Sequence, residues 1–191
     1  MKVEVESTER LFDGFLKLDR THLRHEMPDG RMSPPVMRLN VERGDGAGVL
    51  LVNRRRQTVI LTRQFRYANW KRGDGGWVLE VPAGVVPPGH EPEAVARQEL
   101  VEEAGYHADR LRFMLMFYAS PGTTTERVFL YYAEVEPHQK RSAGGGVDAE
   151  QEFIEVIEMP LAEAMDKVAH GEIVDAKTLI ALQWYQLQVG G

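Results

Sequence analysis

The chain has 191 residues, of which 43% are hydrophobic and 27% are charged, with no cysteine and a formal net charge of −6. These values are typical of a soluble globular protein with one substantial core, and they exclude disulfides and thiolate metal sites. The negative charge argues against a broad nucleic-acid-binding face, because such faces depend on Lys and Arg.

The first 43 residues are predicted to be a small β-rich segment. Strand-like runs at 15–18 and 36–41 flank a turn at Met27-Pro28-Asp29-Gly30. The segment is too short to fold alone, so we expect it to pack on the main domain, residues 44–191, or on a partner subunit. Its polar, acidic start is unlike a signal peptide, and no apolar run approaches the roughly 20 residues of a membrane helix. We therefore expect a cytoplasmic protein with no membrane partner.

A hairpin is predicted next, from short apolar runs at 49–52 and 58–62. Its tip carries Arg54, Arg55 and Arg56, which indicate either an anion site or, as we favour, a solvated turn. A further strand is predicted at 77–81, followed by a glycine-bearing loop at 83–89.

A helix with an acidic face is predicted after this loop. Pro92 suits a first helical turn, and Gly105 suits a left-handed cap at the end. Offsets of three and four residues place Glu99, Glu102 and Glu103 on one face, pointing outward and opposite the apolar stripe. Three like charges favour a hard divalent cation such as Mg²⁺, although a solvated acidic face is the alternative.

The remainder of the chain completes a mixed α+β pattern. Strands are predicted at 113–118, 128–135 and 153–159, and helices at 162–170 and 176–187. A long connection at 138–151 contains Gly144, Gly145 and Gly146, whose mobility would let a loop close over a substrate. Regular strand–helix–strand alternation is missing, which argues against a doubly wound sheet.

The strand, glycine loop and acidic helix together resemble the box of the Nudix hydrolases. Gly84 opens the box, and the run from Glu99 to Tyr106 closes it at the family's spacing. Two positions depart from the pattern: His90 stands where the family has Glu, and Gln98 stands where it has Arg. A His90–Gln98 hydrogen bond could replace the family's salt bridge. The resemblance implies an α/β/α sandwich with a mixed β-sheet.

The resemblance extends over residues 36–188 and is closest to the ADP-ribose and GDP-mannose pyrophosphatase branch. It is carried by segments such as Arg63-Gln64-Phe65-Arg66 and Pro82-Ala83-Gly84. The segment Asp175-Ala176-Lys177-Thr178 is more like the GDP-mannose hydrolases and Ala181-Leu182-Gln183-Trp184 is more like the ADP-ribose hydrolases, so no single motif decides the sugar. The implied reaction is Mg²⁺-dependent hydrolysis of a nucleoside diphosphate sugar, with Mn²⁺ as a possible substitute. Alternatives are a dinucleotide polyphosphate hydrolase and a non-catalytic Nudix module that senses a nucleotide sugar.

The resemblance also implies roles for individual residues. Metal ligands would be Glu99, Glu103 and the Ala83 carbonyl, with Glu102 in support. The general base would be Glu150, with Glu152 as a metal ligand or alternate base. Substrate contacts would be Arg66, Glu126 and, from the second subunit of a homodimer, Arg38.

Overall fold

The computed structural model describes residues 1–147 and 152–189. Ten strands and four helices follow one another along this part of the chain. They are β1 (Val3–Asp13), β2 (Lys17–His25), β3 (Val36–Glu42), β4 (Asp45–Asn53), β5 (Thr58–Phe65), α1 (Tyr67–Arg72), β6 (Trp77–Glu80), β7 (Ala83–Val86), α2 (Pro92–Glu102), β8 (Arg112–Tyr118), β9 (Arg127–Glu134), β10 (Ile154–Pro160), α3 (Leu161–Ala169) and α4 (Ala176–Gln188). A 3₁₀ turn spans Pro137–Gln139.

A seven-stranded mixed sheet forms the centre of the larger of two compact units. Five strands lie in the order β10-β5-β4-β9-β8, while β6 pairs with β5 and β7 pairs with β4. The pairing of β4 with β9 is parallel, whereas β4 with β5 and β5 with β10 are antiparallel. The unit comprises Gly46–Phe117 and the described residues after Arg127.

Helices cover both faces of this sheet. Along β4, Leu50 and Val52 belong to a core cluster with residues of α3 and α4, whereas Val49 and Leu51 belong to a second cluster with residues of α2. This alternation follows from the two-residue period of a strand, and continuous burial on both faces explains the unbroken apolar run. The predicted α/β/α sandwich with a mixed sheet is confirmed.

The smaller unit combines Met1–Asp45 with Tyr118–Arg127. Its three-stranded sheet has the order β1-β2-β3, with both pairings antiparallel. The predicted turn before β3 is present, since the N–H of Gly30 donates to the Met27 carbonyl at 2.9 Å. Strand β1 was not predicted, because most of its residues are polar or charged, and all eleven residues of the strand are exposed.

The arginine-rich hairpin tip is a solvated turn, as favoured. Arg54, Arg55 and Arg56 are each more than half exposed, and each pairs with a glutamate at 3.5–3.7 Å. Because these charges are matched, the tip carries no surplus positive charge for an anion. In the described part of the chain, no helix is long and apolar enough to cross a membrane.

Candidate active site

Glu103 lies directly after the last residue of α2 and is only 3% exposed. Its Oε2 accepts a 2.9 Å hydrogen bond from the backbone N–H of Ala83, the first residue of β7. Two residues later Gly105 takes a φ of 76°, the predicted left-handed cap. The expectation that all three acids of the helix point outward is wrong for Glu103, because its carboxylate turns inward to the Ala83 N–H.

The buried Glu103 carboxyl is short of positive charge. Burial raises the pKa of Glu103 to about 8, against the hydrogen bond from Ala83, which lowers it. The charges of Glu99 and Glu152 raise the pKa further, and that of Lys177 lowers it. A carboxyl held near two like charges gains most from a cation that replaces its proton.

The absence of a side chain at Gly84 leaves space for the Glu99 carboxylate. A Cβ added at Gly84 would lie 1.8 Å from Oε1 of Glu99, so no other residue fits without moving that side chain. Glu99 is half-buried and lies one helical turn before Glu103. The glycine that opens the box therefore brings the loop backbone against the acid that the sequence predicted as a ligand.

His90 and Gln98, the two residues that depart from the family pattern, do not pair with each other. Gln98 donates to Glu102 at 3.0 Å, and the His90 ring lies 3.4 Å from the Pro88 carbonyl. The suggested His90–Gln98 hydrogen bond is thus wrong, because each side chain has a nearer partner. Glu102 is tied to its own helix rather than to the loop.

Glu152 stands just before β10 at the rim of an open cleft of about 600 Å³. The backbone N–H of Val147 donates to its Oε2 at 3.1 Å. The cleft is also lined by Arg63, Trp77 and Phe153. Glu150, predicted as the base, lies outside the described residues.

A network of two cations and two acids lies in the same unit. The buried Glu80, at the end of β6, accepts two hydrogen bonds from the Arg66 guanidinium, at 2.7 and 2.8 Å. Lys177 also pairs with Glu80 and, at 3.0 Å, with Asp175. Burial alone would raise the pKa of Glu80, but Arg66 and Lys177 outweigh it and lower the pKa to about 2. Glu80 therefore stays ionised and fixes both cations.

Sequence reasoning overlooked Glu80 and gave Lys177 no role. The available signal for Glu80 was a single acid in the apolar run Trp77-Val78-Leu79-Glu80-Val81-Pro82, since buried acids need a partner. That partner could not be identified, because Lys177 is 97 residues away along the chain.

Arg38 and Glu126, predicted as substrate contacts, belong to the smaller unit. The Arg38 guanidinium donates to the carbonyl of Met37 at 2.9 Å, and Glu126 accepts from Arg43 at 3.2 Å. Both side chains are therefore held by partners of their own unit.

The residues of the larger unit fit a divalent cation by their chemistry. Hard carboxylate oxygens are available from Glu99, Glu103 and Glu152, and the raised pKa of Glu103 marks a deficit of positive charge. Within residues 1–147 and 152–189, no three carboxylate or imidazole side chains already surround one point. Binding thus requires these carboxylates to turn towards the ion.

Comparison with known proteins places this arrangement in context. The NUDIX domain family model matches residues 42–181. A GDP-mannose pyrophosphatase of Klebsiella pneumoniae is 47% identical over 76% of this chain and 72% of its own length. One of Cronobacter sakazakii is 44% identical over 77% of this chain and 76% of its own length. A crystal structure of an ADP compounds hydrolase shares the fold, with a TM-score of 0.75 at 19% identity over 100% of this chain and 96% of that one.

Proposed function

This chain belongs to the NUDIX domain family, and we propose that it hydrolyses the pyrophosphate bond of a nucleoside diphosphate sugar, GDP-mannose in particular. The products would be GMP and mannose 1-phosphate. The observation that carries the proposal is the buried Glu103 carboxyl, which shares its surroundings with Glu99, Glu152 and Lys177. The choice of sugar nucleotide rests on relatives named GDP-mannose pyrophosphatase that are 42–47% identical to this chain.

The acidic end of α2 would hold the catalytic cation. We assign Glu99, Glu103 and the Ala83 carbonyl as ligands, with Glu102 in support. Mg²⁺ is the proposed ion, since it prefers carboxylate and carbonyl oxygens, and Mn²⁺ would substitute. When bound, such an ion neutralises phosphate charge and helps to activate water.

The cation pair would bind the diphosphate. Arg66 and Lys177 both point their charges at Glu80, which leaves guanidinium and ammonium hydrogens for phosphate oxygens. Arg66 keeps 42% of its side chain exposed, so a ligand has access to it. Guanidinium donors match phosphate in two-point geometry, which would orient the scissile bond.

A loop glutamate would take the proton from the attacking water. Glu150 and Glu152 are the two candidates, and Glu152 lies at the open cleft. A positioned general base contributes about 10²–10⁴-fold to the rate. Exchange of each residue for Gln would distinguish them, because only loss of the base should remove the rise of kcat with pH that ionisation of the base produces.

The smaller unit would pair with a second copy of the chain. We propose a homodimer through residues 1–43, supported by exposed apolar side chains such as Phe12, Phe15 and Leu39. In such a dimer Arg38 would reach the partner's substrate, and Glu126 would contact substrate or water. Sedimentation of the full chain and of Phe12→Asp tests this assembly.

A direct assay tests the proposed reaction. The protein is incubated with GDP-mannose, ADP-ribose or a diadenosine polyphosphate and Mg²⁺, and products are separated chromatographically. GMP and mannose 1-phosphate, formed fastest from GDP-mannose, would support the proposal. Binding of GDP-mannose without turnover of any compound would favour the sensor instead.

A further inference from the structure

Three consecutive glycines lie against the C-terminal end of α2. Gly144, Gly145 and Gly146 have φ values of 72°, 111° and 83°. The N–H groups of Gly145 and Gly146 donate to the carbonyls of Glu103 and Glu102, at 2.9 and 3.1 Å. The last carbonyls of a helix have no hydrogen-bond donor within the helix, so the N–H groups of this glycine tract act as their donors. The tract is thus fixed to α2, in contrast to the mobility expected of it.

The same tract also holds the segment that carries Glu152. The carbonyl of Gly145 accepts a 3.3 Å hydrogen bond from the N–H of Ile154, where β10 begins. Directly after the tract, Val147 donates its N–H to Oε2 of Glu152. One short stretch of backbone therefore joins the acidic end of α2 to the loop glutamate.

There is no room for a side chain at Gly144 or at Gly146. A Cβ at Gly144 would lie 2.3 Å from the Glu103 carbonyl oxygen, and one at Gly146 would lie 2.5 Å from Oε2 of Glu152. A contact below 3.0 Å forces something to shift, and for Gly144 the obstacle is rigid backbone. Gly144 thus lies against the backbone of Glu103, and Gly146 lies against the side chain of Glu152.

We propose that residues 144–146 are a positioning device that sets the separation between Glu103 and Glu152. The inference rests on the proposed function, since it gives both acids a role towards the same cation and water. Glu103 is then fixed twice, through its carboxylate by Ala83 and through its carbonyl by Gly145. Lengthening or tilting the tract would move the two carboxylates apart without removing either.

Metal affinity of the whole protein tests the proposal, with Mn²⁺ as the probe and electron paramagnetic resonance of free Mn²⁺ as the readout. We expect Gly144→Ala to weaken Mn²⁺ binding about tenfold or more, the effect typical of residues that orient ligands. Gly171→Ala is the matched control, because Gly171 has the same φ of 72° but nothing within 4 Å of an added Cβ. It should lose stability but keep its affinity for Mn²⁺.

A second variant probes the other end of the tract. Gly146→Ala should lower kcat about tenfold or more with KM nearly unchanged, because its methyl group displaces the Glu152 carboxylate. If Gly144→Ala fails to fold, Gly145→Ala replaces it. The methyl group added by Gly145→Ala would contact only the Ile154 carbonyl oxygen, at 3.5 Å. A φ of 111° is nevertheless strained for Ala, so we expect the backbone N–H that donates to the Glu103 carbonyl to shift.

Wild-type Mn²⁺ affinity in a folded Gly144→Ala or Gly145→Ala variant would overturn the proposal. Equal losses in Gly144→Ala and Gly171→Ala would also overturn it, since general destabilisation would then explain the result. Should the wild type bind Mn²⁺ but hydrolyse no nucleotide sugar, the proposed function fails, while the Mn²⁺ comparison still decides the role of the tract.

Discussion

The backbone N–H of Ala83 and the Oε2 atom of Glu103 are joined by a 2.9 Å hydrogen bond across 20 residues of sequence. The bond connects the strand that opens the Nudix box with the helix end that closes it. Loop and helix are therefore held together here by Glu103, the residue proposed as a metal ligand, whereas the His90 and Gln98 side chains do not pair.

The first prediction concerns the pH dependence of the metal-free protein. The pKa of Glu103 is about 8 in the folded state and near 4.5 without the fold, so the folded state binds the proton more tightly. The contribution of Glu103 to stability is therefore greatest below pH 4.5 and declines as the pH rises towards 8. Urea unfolding in a chelator should show this decline in the wild type.

Glu103→Gln serves as the comparison for that experiment, because its amide oxygen still accepts from Ala83 and carries no charge. Its free energy of unfolding should fall less between pH 5 and 8 than that of the wild type. Parallel curves for the two proteins would show that Glu103 ionises normally.

The second prediction concerns the buried acid Glu80. Glu80→Gln leaves Arg66 without its counter-charge and Lys177 with Asp175 alone, which should cost up to about 3–5 kcal/mol of unfolding free energy at pH 7. Glu155→Gln is the control, because its pair with Arg63 is about half exposed and is worth about 1 kcal/mol or less.

Lowering the pH should remove the stabilisation that Glu80 gives to the wild-type protein. Its folded pKa of about 2 lies below the unfolded value near 4.5, so its stabilisation is complete above pH 4.5 and is lost as the pH falls towards 2. Urea unfolding of wild type and Glu80→Gln at pH 7 and pH 3 should therefore show a smaller difference at pH 3. A constant difference would refute the ion-pair explanation.

The third prediction restores the family's loop-to-helix pair. His90→Glu with Gln98→Arg should preserve or raise kcat/KM, because an ion pair would add a second link beside the Ala83–Glu103 bond. Gln98→Arg alone is the control; its guanidinium still reaches Glu102 one turn later, so little change is expected. A collapse of activity in the double variant alone would mean that this loop has a different geometry.

Local signals in the sequence identified much of this fold. The cap at Gly105, the start of α2 at Pro92 and the continuous apolar strand β4 each follow from residues close in sequence. What escaped prediction depends on distant partners. The burial of Glu103 requires the Ala83 N–H, and the ionised Glu80 requires Lys177. The anchoring of residues 144–146 likewise depends on carbonyls of α2, which no local pattern reveals.

The function proposed here depends on Glu103 binding the cation that acts on the diphosphate. We therefore compare the release of GMP from GDP-mannose by wild type and Glu103→Gln across a Mg²⁺ titration, with circular dichroism to verify the fold of both. The expected result is Mg²⁺-dependent release by the wild type and a loss of about 10²–10³-fold in the folded variant, the scale of a lost charge-stabilising group. Wild-type turnover by Glu103→Gln at the same Mg²⁺ concentrations would contradict the assignment.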